Sequence, residues 1–440
     1  MTRRDALRLL AVLAAVAGSP ALLAACGTEQ DRPQGRSEGD DVTELVSSEE
    51  ERSPGRVESL PEAVASISAL GGGVYAELSR QPGNLAVSPY SVVVALAMTL
   101  NGAAGATAAE MRSVLGVSDL DDFNGGLDAL TLHIEGLAGT QRRADGSEAE
   151  LVLAAANALF GQRDTTWQEP FLDALARYYG AGMRQVDFVG DTEGARTVIN
   201  DWTAEQTRDR IPQILPAGAL DELTRLVLVN AIYLKAPWEE PFFASATAAK
   251  PFTTDDGRTV QADTMTVGLA TSGYARDDDW QAVRLLYAGG QLAMTILLPA
   301  EGRLAAVSDL VAGGGLGEIL GANRDAKVRL WMPKWEFRTQ AMLAPILGAL
   351  GMPTAFTEAA DFSAITTTEE VHLSAVVHEA FIAVDEEGTE AAAATAVVAG
   401  TTSMPQYVDV NVDRAFLFVI HDVAHGTPLF LGRVGDPTAG

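Results

Sequence analysis

Residues 84–100, NLAVSPYSVVVALAMTL, constrain the fold more than any other stretch of this 440-residue chain. Leu85, Ala86 and Val87 read as a short strand. Ser88 then offers a capping hydroxyl, and Pro89 brings the fixed φ suited to a first helical position. From Tyr90 to Leu100 no charged residue falls on any helical face. A helix apolar all round is stable only when other elements surround it. The chain must therefore build layers around this segment, and 47% hydrophobic residues supply enough material for a large core.

The surrounding elements follow from periodicity. Alternating β-branched and aromatic residues predict strands over 226–234, 292–298, 328–332, 381–384, 416–420 and 429–434. Amphipathic spacing predicts helices over 167–179, 195–207 and 339–350. No regular alternation of strand and helix is present, so the expected class is α+β with mostly antiparallel sheets. No internal repeat occurs, and no second linker interrupts the chain after residue 62, which gives one domain over 62–440.

Charge excludes several partners. The 31 Lys and Arg against 59 Asp and Glu give a net charge of -28, which argues against nucleic acid and other polyanions. The one cysteine, Cys26, rules out an internal disulfide framework and a cysteine-based zinc cluster. Arg3, Arg4 and Arg8 precede an apolar run that breaks at Gly18, Ser19 and Pro20, the pattern of a signal peptide over 1–25. The ending Leu23-Ala24-Ala25-Cys26 resembles a bacterial lipobox, in which Cys26 becomes the lipidated first residue. The early arginine pair resembles a twin-arginine signal with Ala6 where phenylalanine is usual, so the export route stays open. Removing residues 1–25 takes away three Arg and one Asp and moves the net charge from -28 to -30. Residues 26–61 are polar and acidic, and the expectation is a disordered tether.

The usual catalytic signatures are missing. There is no Gly-x-Ser-x-Gly elbow, no His-Glu-x-x-His pair, no phosphate loop and no dinucleotide motif. His421 and His425 are four apart, but Gly426 and Pro428 make that stretch a turn between strands, so no metal and no cofactor is expected. His378, beside Glu379 in an apolar run, reads as a hydrogen-bonded interior histidine.

One segment resists an ordinary reading. Residues 385–412, DEEGTEAAAATAVVAGTTSMPQYVDVNV, separate two strands by far more than a hairpin loop of about 2 to 5 residues. In strand alternation Thr389, Ala391, Ala393, Thr395 and Val397 share one small, uncharged face, while Glu390 falls on the other, which could remain wet. Gly388 supplies backbone freedom at the start. The sequence permits a loop that inserts into its own sheet. Composition alone equally permits a surface loop or a short alanine helix.

Here the chain resembles the serpins, inhibitors that trap a serine protease by inserting a cleaved loop into a sheet. Glu386, Glu387, Gly388, Thr389, Glu390, Ala391, Ala392, Ala393 and Ala394 resemble the hinge of inhibitory members. Asn84 to Ser91, with Ser88 and Ser91, resembles the shutter. Leu228 to Trp238, with Asn230 and Trp238, resembles the breach, and Val377-His378-Glu379-Ala380 the shutter histidine. Asp413 to Phe418 and Pro428 to Val434 resemble the closing strands.

The resemblance implies three mostly antiparallel sheets, eight or nine helices and an exposed reactive-centre loop at about 386–408. It implies an inhibitor rather than an enzyme, acting as a suicide substrate of serine, or cysteine, endopeptidases. Counting from Gly388 places the cut at Thr402-Ser403; counting back from Phe416 gives Met404-Pro405, where proline makes a poor substrate. The small residues upstream suggest an elastase-like or subtilisin-like target, and no Arg or Lys between Gly388 and Asp413 serves a trypsin-like one. A monomer without heparin dependence, touching membrane only through its lipid, completes the expectation. The alternative is a non-inhibitory binding protein on the same fold.

Overall fold

The computed structural model describes residues 44–389 and 407–439. Cys26, the hinge residues Glu390, Ala391, Ala392, Ala393 and Ala394, and the Thr402-Ser403 bond lie outside them. The apolar helix forms over Pro89–Leu100, and all of its residues are buried. Ser88 caps it: its side chain accepts the Ser91 N–H at 3.2 Å. The strand ahead of it, Leu85–Val87, pairs with Pro428–Val434, which joins the two ends of the domain.

The helix lies against the central sheet. In that sheet the order is Glu44–Val46, Met183–Val186, Glu148–Gln162, Leu226–Pro237, Gly388–Thr389, Leu373–Val384 and Trp335–Met342, with Gly139–Arg142 paired to Glu148–Gln162. Both faces of the middle strand are covered. Leu226, Leu228, Ile232, Leu234 and Ala236 enter the main core. Val227, Val229, Ala231 and Tyr233 enter a second core closed by Ala195 and Ile199 of the helix Thr192–Gln206. This two-sided burial is why the strand reads as an unbroken apolar run.

The other nine strands form one ladder running from Val408–Asn411 to Leu85–Val87. Its long member, Thr259–Arg276, pairs over residues 259–264 with Ala248–Thr253, over 264–274 with Arg324–Pro333 and over 273–276 with Trp280–Leu286. Two of the three expected sheets thus share a strand. Nine α-helical segments occur among the described residues, the seventh and eighth joined through a π-turn at Val311–Gly315 that kinks at Gly314. The class is α+β, as expected.

Two expectations need correction. Residues 339–342 are not helical: Trp335–Met342 is a strand paired antiparallel to Leu373–Val384, and the helix is confined to Ala344–Leu350. Cross-strand burial of Trp335, Phe337 and Ala341 outweighs the helical spacing. Nor is all of 26–61 a disordered tether. Glu44–Val46 adds an antiparallel strand at the sheet edge, and the chain behind it is tied down by charge. Arg52 donates to buried Asp128 at 2.9 Å and to Glu135 at 3.0 Å, and Arg56 pairs with Asp121 and Asp122. Arg177 donates to Glu50 at 3.1 Å. Polar composition hid an ordered strap whose counterions lie in distant helices.

Candidate functional site

The Leu226–Pro237 and Leu373–Val384 strands run parallel and pair directly from Leu226/Leu373 up to Ile232/Ala380. Above that point Gly388–Thr389 lies between them, antiparallel to both: Gly388 faces Pro237, and Thr389 faces Ala236 on one side and Val384 on the other. Two residues of the 385–412 segment are already a central strand.

The sequence dictates that seat. Asp385 starts a tight turn in which its carboxylate accepts the backbone N–H of Glu387 at 2.9 Å and of Gly388 at 3.2 Å. Burial raises the Asp385 pKa, and those two donors oppose the shift. The indole of Trp238 donates to the Asp385 carbonyl at 3.0 Å, and its backbone N–H donates to Glu387 at 2.8 Å. A Cβ at Gly388 would stand 2.4 Å from the Ala236 carbonyl oxygen, so only glycine fits against this strand.

Thr389 is 1% exposed, and its hydroxyl shares a 2.7 Å hydrogen bond with the Tyr287 hydroxyl. Tyr287 in turn stacks on Trp238, with ring centroids 4.6 Å apart and planes 7° from parallel. Glu386 accepts from Thr247 at 2.6 Å and from Lys334 at 3.3 Å. Burial works to raise its pKa, but these two partners outweigh it and hold the carboxyl below its usual range. Glu387 caps no charge here; its carbonyl is the part that binds.

Farther down the same seam the shutter residues converge. The Ser88 backbone N–H donates to His378 Nε2 at 3.1 Å, which leaves the proton on Nδ1, directed to the Asn230 side-chain oxygen. The Asn230 amide donates to Ser91 and to Asn157, and the Ser91 hydroxyl donates to Asn157 at 2.8 Å. His378 is fully buried, and burial lowers its pKa from the usual 6.5 to about 3. It is therefore a neutral latch between the two parallel strands. Its hydrogen bond to Asn230 spans the seam between those strands, where the two residues are register partners.

Ser88, Ser91, Asn230 and His378 form one cluster, and Trp238 joins Glu386, Glu387, Gly388 and Thr389 in another. Sequence reading missed Asn157, Tyr287, Lys334 and Asp385 as partners. Asn157 did leave a signal, a lone amide in the apolar run LVLAAANALFG, just as Asn230 does in LVLVNAIYL. Tyr287 and Lys334 left none, because only the sheet brings them near the turn. His421 does not join His425: it bonds Thr295 at 3.0 Å inside the other ladder.

Comparison with known proteins places this geometry. Residues 65–437 match the family model described as Serpin (serine protease inhibitor). An uncharacterized serpin-like protein of Thermococcus kodakarensis is 36% identical over 371 residues, covering 83% of this chain and 84% of its own. Human leukocyte elastase inhibitor is 33% identical over 365 residues, covering 81% and 93%. The crystal structure of tengpin, a thermophilic serpin in the native state, superposes with a TM-score of 0.76 at 25% identity, covering 89% and 97%. Matched to the family model over nearly its whole described length and to a relative at 36% identity, the chain belongs to the serpin family.

Proposed function

We propose that the chain inhibits serine endopeptidases by loop insertion, with an elastase-like or subtilisin-like target and a cut at Thr402-Ser403. The observation that carries this reading is the seated pair Gly388–Thr389 at the head of a closed parallel seam. Continuing its register downward sets Ala391 against Leu234, Thr395 against Asn230 and Ala399 against Leu226. Across the other strand Thr395 meets His378. Residues 389, 391, 393, 395 and 397 then face the main core, where small side chains fit beneath the helix Pro89–Leu100.

Glu390 falls beside Lys235, which is 27% exposed, so its charge keeps both solvent and a counterion. Lower on that face the helix Thr192–Gln206 covers the sheet, and alanines 392, 394 and 396 replace charge there.

Energetics favour the change. The direct parallel pairing in the seam gives way to two antiparallel ladders, the stronger kind, and each inserted residue carries the cut end about 3.4 Å along the sheet. A protease held there as an acyl-enzyme on Thr402 is pulled from its own working geometry before water attacks. The protease supplies the nucleophile and this chain supplies the spring.

Incubation with elastase, subtilisin and trypsin, followed by a denaturing gel and sequencing of the released peptide, tests the reading. SDS-stable complexes with the first two and a new N-terminus at Ser403 are expected. Cleavage without complex would leave a non-inhibitory member of the family. Export and lipidation at Cys26 are proposed on the signal pattern alone: Cys26→Ser should move the chain from the membrane fraction to the medium, and retention would refute the anchor.

A further inference from the structure

We infer that His133, Asp422 and His425 form a binding site for a zinc-class divalent cation, remote from the seam. His133 lies in the last turn of the helix Leu120–Glu135, Asp422 ends the strand Phe416–Asp422, and His425 stands in the turn leading to Pro428–Val434. Their ligating atoms all lie within 4.8 Å of one another. The Nε2 of His133 is 3.6 Å from Asp422 Oδ2, and the two imidazole rings meet edge to face with centroids 5.1 Å apart.

The first argument is the carboxylate. Asp422 is completely buried, and among the described residues no Lys or Arg stands within ion-pair distance of it. Its oxygens each accept one backbone N–H from its own turn, Thr427 to Oδ1 at 2.8 Å and His425 to Oδ2 at 2.8 Å. Those bonds fix its orientation without neutralising its charge. A buried carboxylate is normally paired with a cation or coordinated to a metal.

The second argument is the imidazole. His133 Nε2 is buried and has no hydrogen-bond partner, although it points toward that carboxylate. A buried nitrogen with no hydrogen-bond partner, beside a buried carboxylate with no cation, is costly unless something lies between them. Bonds of about 2.0 to 2.1 Å in a tetrahedral zinc site put neighbouring ligand atoms roughly 3.3 Å apart, close to the 3.6 Å found here. His425 is exposed and free to swing its ring the remaining distance, while its backbone stays tied to Asp422. Two imidazoles and one carboxylate suit zinc, cobalt or nickel, and not calcium or magnesium, which require oxygen ligands.

Sequence reading could not find the site, because His133 lies almost three hundred residues before its partners and the visible pair, His421 and His425, is the wrong one. The bound ion would clip a helix to the hairpin that carries the last core strand, and it would stabilise only the folded chain.

The test uses the full chain without an affinity tag. Calorimetric titration with Zn2+ should give one site per chain, Co2+ should develop visible absorption with the same stoichiometry, and saturating Zn2+ should raise Tm. His133→Ala and His425→Ala should each weaken Zn2+ binding at least tenfold, about the loss of one ligand among three, while His372→Ala should not. Because His425 is exposed, its variant keeps the fold intact as a check on the His133 result. Absence of stoichiometric binding, or binding indifferent to both variants, would overturn the site.

Discussion

Acid should unlatch the central seam, and His378 sets the size of the effect. The ring is fully buried, accepts the Ser88 N–H through Nε2 and donates to Asn230 through Nδ1, so the folded chain holds it neutral down to about pH 3. In the unfolded chain it takes a proton near pH 6.5. Between those values the unfolded state binds more protons than the folded one, so stability falls as pH falls. Above pH 6.5 the contribution is fully present. At about 1.4 kcal/mol per pH unit, lowering pH from 7 to 5 removes about 2 kcal/mol through this group alone. That is a sizeable part of a stability of about 5 to 15 kcal/mol.

Carboxylates titrate within the lower part of this range, so the informative quantity is a difference. Tryptophan fluorescence during denaturant unfolding at pH 7, 6 and 5 should show the native chain losing about 2 kcal/mol more than His378→Gln, whose amide does not titrate. Equal pH slopes for the two chains would refute a neutral, buried latch.

Replacing Thr389 by Arg sets a guanidinium where the side chain is 1% exposed and shares a hydrogen bond with Tyr287. An unpaired buried charge costs several kcal/mol, and each 1.4 kcal/mol on the insertion barrier is about tenfold in rate. Thr389→Arg should therefore be cleaved as a substrate with the inhibitory stoichiometry lost, while Thr389→Val keeps it; unchanged SDS-stable complexes with the Arg variant would sink the insertion reading. In the N-terminal strap, Arg52→Ala strips the partner from buried Asp128 and should lower stability by about 2 kcal/mol. Arg56→Ala, at the surface, should leave the unfolding midpoint unmoved, and equal effects of the two variants would mean that burial of Asp128 is not what counts.

Sequence pattern located the apolar helix, the Leu226–Pro237 strand and the turn at Gly388 because each carries its constraint within its own residues. A helix with no polar face, a strand buried on both sides and a glycine pressed against a carbonyl all leave local marks. The 18-residue strand Thr259–Arg276 left none, since its faces change neighbours as it passes from one sheet into the next. Residues 44–56 looked unstructured because their order comes from ion pairs to Asp121, Asp128 and Glu135, and composition cannot register a partner eighty residues away. Of the site, Ser88 was legible as a helix cap and His378 as an interior histidine, while Asn230 and Trp238 were marked only by the family resemblance. Tyr287 was not, because its part is to cover Thr389 from a neighbouring strand's loop.

The ladder between Leu85–Val87 and Pro428–Val434 also sets the order of events during synthesis. The ribosome delivers the N-terminal strand, and the apolar helix behind it, hundreds of residues before the strand that completes their sheet. Throughout translation that helix must be shielded by something other than its final neighbours, since exposed apolar surface on a partly made chain invites aggregation. A chain interrupted before Pro428 would lack the last strand, leave Leu85–Val87 an open edge, and be unable to close.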